Sequence, residues 1–144
     1  MRGDVTDLSM FADKSFDIAF SNSVIEHLPT AESQLKMVHE LKRVAGRYYL
    51  QTPNYWFPFE VHFLLPLFHF LPRAGRIWFL SRLGAPTTGA GWRRIEERLA
   101  AEYVDSIRLL TKSDLERLFG PSSRVLTERF FLLPKSLICI GDAP

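Results

Sequence analysis

The chain has 144 residues, 18 basic and 16 acidic, for a formal charge of +2; this is the length of one domain with room for a core, and the charge balance excludes a strongly basic nucleic-acid groove. A single cysteine, Cys139, excludes an intramolecular disulfide framework and points to a reducing, cytoplasmic compartment. Met1-Arg2-Gly3-Asp4 has no apolar run behind its basic residue, so no signal peptide is read there.

Phe16, Ile18 and Phe20 alternate with Asp17 and Ala19, which predicts a strand over 16–22 that stops at Ser21-Asn22-Ser23. In an open α/β sheet, ligands occupy the crevice at the carboxyl ends of the strands. These small polar residues and the Glu26-His27 pair after them are therefore the first candidate site. Thr30 is an N-cap for a helix over 31–45, with Glu32 in its first turn and Lys42 and Arg43 in its last. Leu35, Val38, Leu41 and Ala45 make its apolar stripe, and Gly46 its stop. Arg47 to Thr52 reads as the next strand, and the strand-helix-strand order requires the two strands to be parallel.

Residues 54–91 are aromatic, irregular in pattern and punctuated by Gly75, Gly84, Pro86, Gly89 and Gly91, as expected of an insertion that acts as a lid or binding element within a single domain. The apolar stretch from Tyr55 to Leu71 holds Glu60, His62, His69, Pro58 and Pro66, which argues against a membrane span. It reads as a cover over a site or, more sharply, as a peripheral patch that enters a membrane surface. Tyr55, Trp56, Phe57 and His62 are the substrate-binding candidates, because an apolar pocket with a few polar handles suits an organic acceptor. His62 and His69, separated by Pro66 and with no cysteine nearby, do not have a metal-ligand spacing, and no metal is expected.

Helices are predicted over 73–82, from Trp92 to Glu102, and over 112–119, the last framed by Thr111 and Asp114 and ended by Gly120-Pro121. Strands over 125–132 and 137–141 close the chain, and the short link Leu133-Pro134-Lys135-Ser136 makes them antiparallel.

Gly3-Asp4-Val5, Asp7-Leu8, Ser15-Phe16-Asp17 and Glu26-His27-Leu28 together resemble the central part of class I S-adenosylmethionine-dependent methyltransferases of the small-molecule type. Thr52-Pro53-Asn54, Leu110-Thr111 with Asp114-Leu115, and Pro134-Lys135-Ser136-Leu137 extend the resemblance over most of the chain. It implies an α/β fold: part of a Rossmann-like methyltransferase sheet, mostly parallel, with an antiparallel carboxyl-terminal strand pair. The family's glycine-rich cofactor loop and ribose-holding acid would precede residue 1, so a fragment or truncated product is expected. The strand at 16–22 would then be an apolar edge, open to self-association with another copy.

By the same resemblance, S-adenosylmethionine is the cofactor. Asp4 would accept from the adenine amino group, the Val5 backbone would meet the ring edge, and Ser21, Asn22 and Ser23 would lie along the methionine end. A sulfonium methyl is already a strong electrophile, so the remaining work is alignment of the acceptor and, for a hydroxyl, removal of its proton. His27 is the candidate base, with Glu26 as its orienting partner. The implied reaction is methyl transfer to a small or lipid-linked organic acceptor. The rival class is a non-catalytic remnant that acts as a binding or membrane-peripheral module.

Overall fold

The structure, a computed structural model, describes residues 3–60, 62–87 and 91–143. Met1-Arg2, read above as no signal peptide, and Gly89, one of the breakers in the insertion, lie outside the described residues. The chain divides into two units, Met1–Trp56 with Arg108–Pro144, and Phe57–Ile107.

The first unit is built on strand β1 (Phe16–Asn22), helix α1 (Ala31–Val44) and strand β2 (Ala45–Pro53). β1 and β2 are parallel, with Phe16 opposite Ala45 and Asn22 opposite Gln51, as a strand-helix-strand crossover requires. Thr30 caps α1 through the Ser33 backbone amide, and Ser33 answers with its own side chain in a capping box. Two details differ from the sequence expectation. The helix ends at Val44 and passes directly into β2, so Gly46 is a strand residue and not a stop. Its buried face is Gln34, Met37, Val38, Leu41 and Val44, which leaves Leu35 exposed.

After the short units β3 (Phe59–Glu60), β4 (Leu65–Pro66), α2 (Arg73–Arg82), β5 (Ala85–Thr87), β6 (Gly91–Arg93) and α3 (Glu97–Asp105), the chain returns to the first unit with α4 (Lys112–Phe119), β7 (Ser123–Phe130) and β8 (Leu133–Asp142). Thr111 and Asp114 close a capping box on α4, and Gly120, at φ 75°, takes the left-handed position just past its end. The sheet order is β1-β2-β8-β7. β8 runs antiparallel to both β2 and β7, so β1, β2 and β7 share one direction and only β8 opposes them. This is the mostly parallel α/β sheet with a reversed carboxyl-terminal strand that the resemblance implies.

The last hairpin is longer than predicted. Pairing continues to Phe130 opposite Leu133, so the turn is Phe131-Leu132 and not 133–136. Pro134 suggested a turn, but it sits opposite Arg129 at a register shift between Glu128 and Arg129, where the ladder can do without its missing N–H.

The core of this unit joins Ile25, Met37, Val38, Tyr48, Leu50 and Phe119 among others, with Ala19 and Val5 packed against it. β1 lies at the sheet edge and pairs only with β2 among the described residues. Phe16, Ile18 and Phe20 are exposed along it, Phe20 stacking on Tyr49 at 5.2 Å.

The second unit has its own smaller core of Leu65, Phe68, Ile77, Leu80, Ala100 and Val104. α2 matches its predicted span, whereas Gly91–Arg93 pairs with Ala85–Thr87 as a strand and the following helix starts only at Glu97. Among the described residues, no helix is long and apolar enough to cross a membrane.

Candidate functional site

Because β1 and β2 are parallel, their carboxyl ends emerge together, and the polar residues that close both strands meet there. Ser21 is buried, and its hydroxyl has no hydrogen-bond partner among the described residues. Asn22 is exposed. Ser23, at φ 53°, turns the chain through the left-handed region while its amide donates to the Gln51 carbonyl at 2.9 Å. The chain then forms a single 3-10 turn over Ile25–His27.

That turn is held from two sides. The buried Gln34 side chain of α1 donates to the carbonyls of Ile25, at 3.1 Å, and Arg108, at 3.3 Å. The Arg108 amide donates to the Glu26 carbonyl at 2.7 Å. The result is a fixed location for the Glu26 carboxyl, which is 0% exposed. One of its oxygens accepts from the hydroxyl of Thr52, itself fully buried near the end of β2, at 2.8 Å. The other, Oε1, has no partner among the described residues. A buried carboxylate oxygen without a donor is costly and uncommon. His27 is exposed on the same turn, with a ring nitrogen within 4.8 Å of a Glu26 carboxylate oxygen. Asn54 follows β2, buried, its side-chain oxygen accepting from the Trp56 amide at 3.0 Å.

Asp4 and Val5 lie in a segment clamped to α1. Arg43 donates to the carbonyls of Leu8 and Phe11 and pairs with Asp13 and Glu40, and Glu40 accepts from the Leu8 amide at 2.6 Å. Asp4 is exposed and caps its own turn, accepting from the Thr6 amide at 2.9 Å and the Thr6 hydroxyl at 2.8 Å. Those bonds, the backbone one foremost, hold its carboxyl below the usual range. Val5 packs on the core cluster that contains Ile25 and also lines a cavity of about 170 Å³ with Gly3, Leu8, Met10 and Phe11. A whole small-molecule site spans roughly 300–1,000 Å³, so this cavity has room for one ring of a ligand.

The proposed acceptor residues divide between the two units. Tyr55 and Trp56 follow β2, their rings meeting edge to face at 5.2 Å, with Trp56 exposed. Phe57 and His62 belong to the second unit, where His62 Nδ1 bonds the Glu60 carboxylate at 2.7 Å. The structure thus brings Ser21, Ser23, Glu26 and His27 to one end of the sheet, and adds Thr52 and Gln34, which sequence reasoning did not assign. Thr52 could have been noticed as a polar residue closing an apolar strand, and Gln34 as a polar residue between apolar helix positions.

Residues 1–49 match the methyltransferase domain family. Two uncharacterized proteins of Mycobacterium tuberculosis, from strains CDC 1551 / Oshkosh and H37Rv, are each 39% identical over 57 residues, which is 40% of this chain and 20% of either relative. Among solved structures, an S-adenosylmethionine-dependent methyltransferase from Methanosarcina mazei superposes with a TM-score of 0.51 at 18% identity, covering 97% of this chain and 65% of its own. A protein from Bordetella parapertussis described as a possible exported protein superposes with a TM-score of 0.58 at 12% identity, covering 99% of this chain and 43% of its own. At those identities the two structures speak for the fold. The chain therefore spans only part of the length of the proteins it matches.

Proposed function

We propose, for a chain whose residues 1–49 match the methyltransferase domain family, that its strand-end site serves methyl transfer from S-adenosylmethionine to a small or lipid-linked organic acceptor. The observation that carries this reading is the pair of buried polar atoms without partners at the parallel strand ends, Ser21 Oγ and Glu26 Oε1. Both fit a ligand that is itself rich in polar and charged groups, and the apolar cavity beside Asp4 and Val5 fits its ring. Ser21, Asn22 and Ser23 would hold the methionine end, and Asp4 with the Val5 backbone the adenine. When bound, S-adenosylmethionine supplies an activated methyl group.

The chain's own residues do the rest. Gln34, Thr52 and the Arg108 backbone fix the Glu26 turn, so that His27 is presented at a set position from which to take a proton from an acceptor hydroxyl. Tyr55 and Trp56, directly after β2, supply apolar contacts of the acceptor. A reducing, cytoplasmic setting belongs to the same reading: Cys139 is a buried free thiol whose burial pushes it up to about 11, an inert packing residue.

The test is transfer of radiolabelled methyl from S-adenosylmethionine to a panel of phenols, amines and long-chain alcohols. Label should appear in an acceptor, and His27→Ala should lower the rate about 100-fold with an unchanged melting temperature. Transfer that is indifferent to His27 would remove its role as base, and no transfer to any acceptor would count against the reaction.

A further inference from the structure

The most exposed large apolar residues among the described ones are Phe131, at 86%, and Leu132, at 85%, which form the two-residue turn of the β7-β8 hairpin. Phe130 and Leu133 flank them, also exposed. Neither solvation nor turn chemistry accounts for this choice. Phe131 stands at the first turn position with φ 52°, where a two-residue hairpin with one left-handed residue prefers glycine. A bulky aromatic residue there strains the backbone and exposes its ring to water, and such an outlier invites a functional explanation.

We propose that this tip inserts into a lipid surface bearing anionic headgroups. Residues 129–135 carry Arg129 and Lys135 and no acid. Arg129 reaches the Leu132 carbonyl, and Lys135 pairs with Glu128 at 3.6 Å, so the collar of the four-residue apolar tip carries two cations against one acid, a net positive charge. That is the arrangement of a membrane-inserting loop: apolar side chains enter the acyl boundary while basic side chains stay with the phosphates.

Position adds to chemistry. β7 runs in the same direction as β1 and β2, so its carboxyl end and the turn after it lie at the end of the sheet that holds Ser21 and Glu26. The Asn54 amide ties the hairpin base there by donating to the Lys135 carbonyl at 3.1 Å. A tip held in a membrane would set the strand-end site at its surface. The inference rests on the hairpin alone and does not require methyl transfer.

Flotation with phosphatidylcholine vesicles, with and without phosphatidylserine, tests it. The chain should float with the anionic vesicles, and the double variant Phe131→Ser, Leu132→Ser should lose roughly tenfold or more of the bound fraction. Phe131→Gly is the sharper variant: it relieves the left-handed strain, so the melting temperature should hold or rise while binding falls. Absence of wild-type binding to either vesicle, or variants that bind equally well, would overturn the proposal. So would a dimer that the double variant dissociates without any vesicle binding, which would make the tip a protein contact.

Discussion

Two buried glutamates, one in each unit, have opposite surroundings. Glu60, 2% exposed, spends both oxygens inside its own loop: Oε1 takes the His62 Nδ1 hydrogen bond at 2.7 Å, and Oε2 takes the Phe63 amide at 2.7 Å. Among the described residues, the carboxyl of Glu26, 0% exposed, has only the Thr52 hydroxyl, and its second oxygen has no partner. The first is a clamp that shapes a turn, since satisfied buried carboxylates stabilise the local fold. The second is held in place through the backbone, the Arg108 amide donating to the Glu26 carbonyl and Gln34 to the carbonyls of Ile25 and Arg108, while the carboxyl itself remains incompletely paired. Burial is common to both acids; the hydrogen-bonding capacity left over is what differs.

The same substitution at the two positions should therefore give different results. Glu60→Gln leaves one of two donors facing an amide NH₂, and should cost about 2 kcal/mol, read as faster hydrogen exchange within 57–107 and little change elsewhere. Gln34→Leu strips the side-chain donor from the Ile25 and Arg108 carbonyls and should cost about 1 kcal/mol, with the loss of protection centred on residues 25–28. Glu26→Gln should change stability by less than about 0.5 kcal/mol, because the amide oxygen still accepts from Thr52 and the other carboxyl oxygen gives up no hydrogen bond among the described residues. Its effect should fall on ligand binding. If Glu26→Gln destabilises the first unit as much as Glu60→Gln destabilises the second, both residues are structural clamps and the distinction between them fails.

The elements that could be read from the sequence were those written in local chemistry. The Thr30 and Thr111 capping boxes, the Phe-Asp-Ile-Ala-Phe alternation of β1 and the span of α2 depend on residues a few positions apart. What was not legible depends on distant partners. Gly46 reads as a helix stop, yet Ala45 already pairs with Phe16 of β1 and Gly46 lies within β2. Trp92 reads as helical because nothing local announces its pairing with Pro86. The Glu26-His27 pair was legible as a candidate, but the residues that make Glu26 distinctive, Thr52 and Gln34, are 26 and 9 positions from the atoms they bind in the turn. Arg43 looked like a charge at a helix end and proved to be the clamp for residues 8–13.

The central claim is that the carboxyl ends of β1 and β2 form the ligand site. Titrating S-adenosylmethionine into isotopically labelled protein, with backbone amide shifts followed by NMR, tests it most directly, since even millimolar binding, worth about 4 kcal/mol, is visible. The account predicts shifts concentrated at Ser21, Ser23, Glu26, Thr52 and Asn54, with a second group at Asp4 and Val5, and their loss in Glu26→Gln. Shifts confined to 57–107, or none at millimolar ligand, would contradict it.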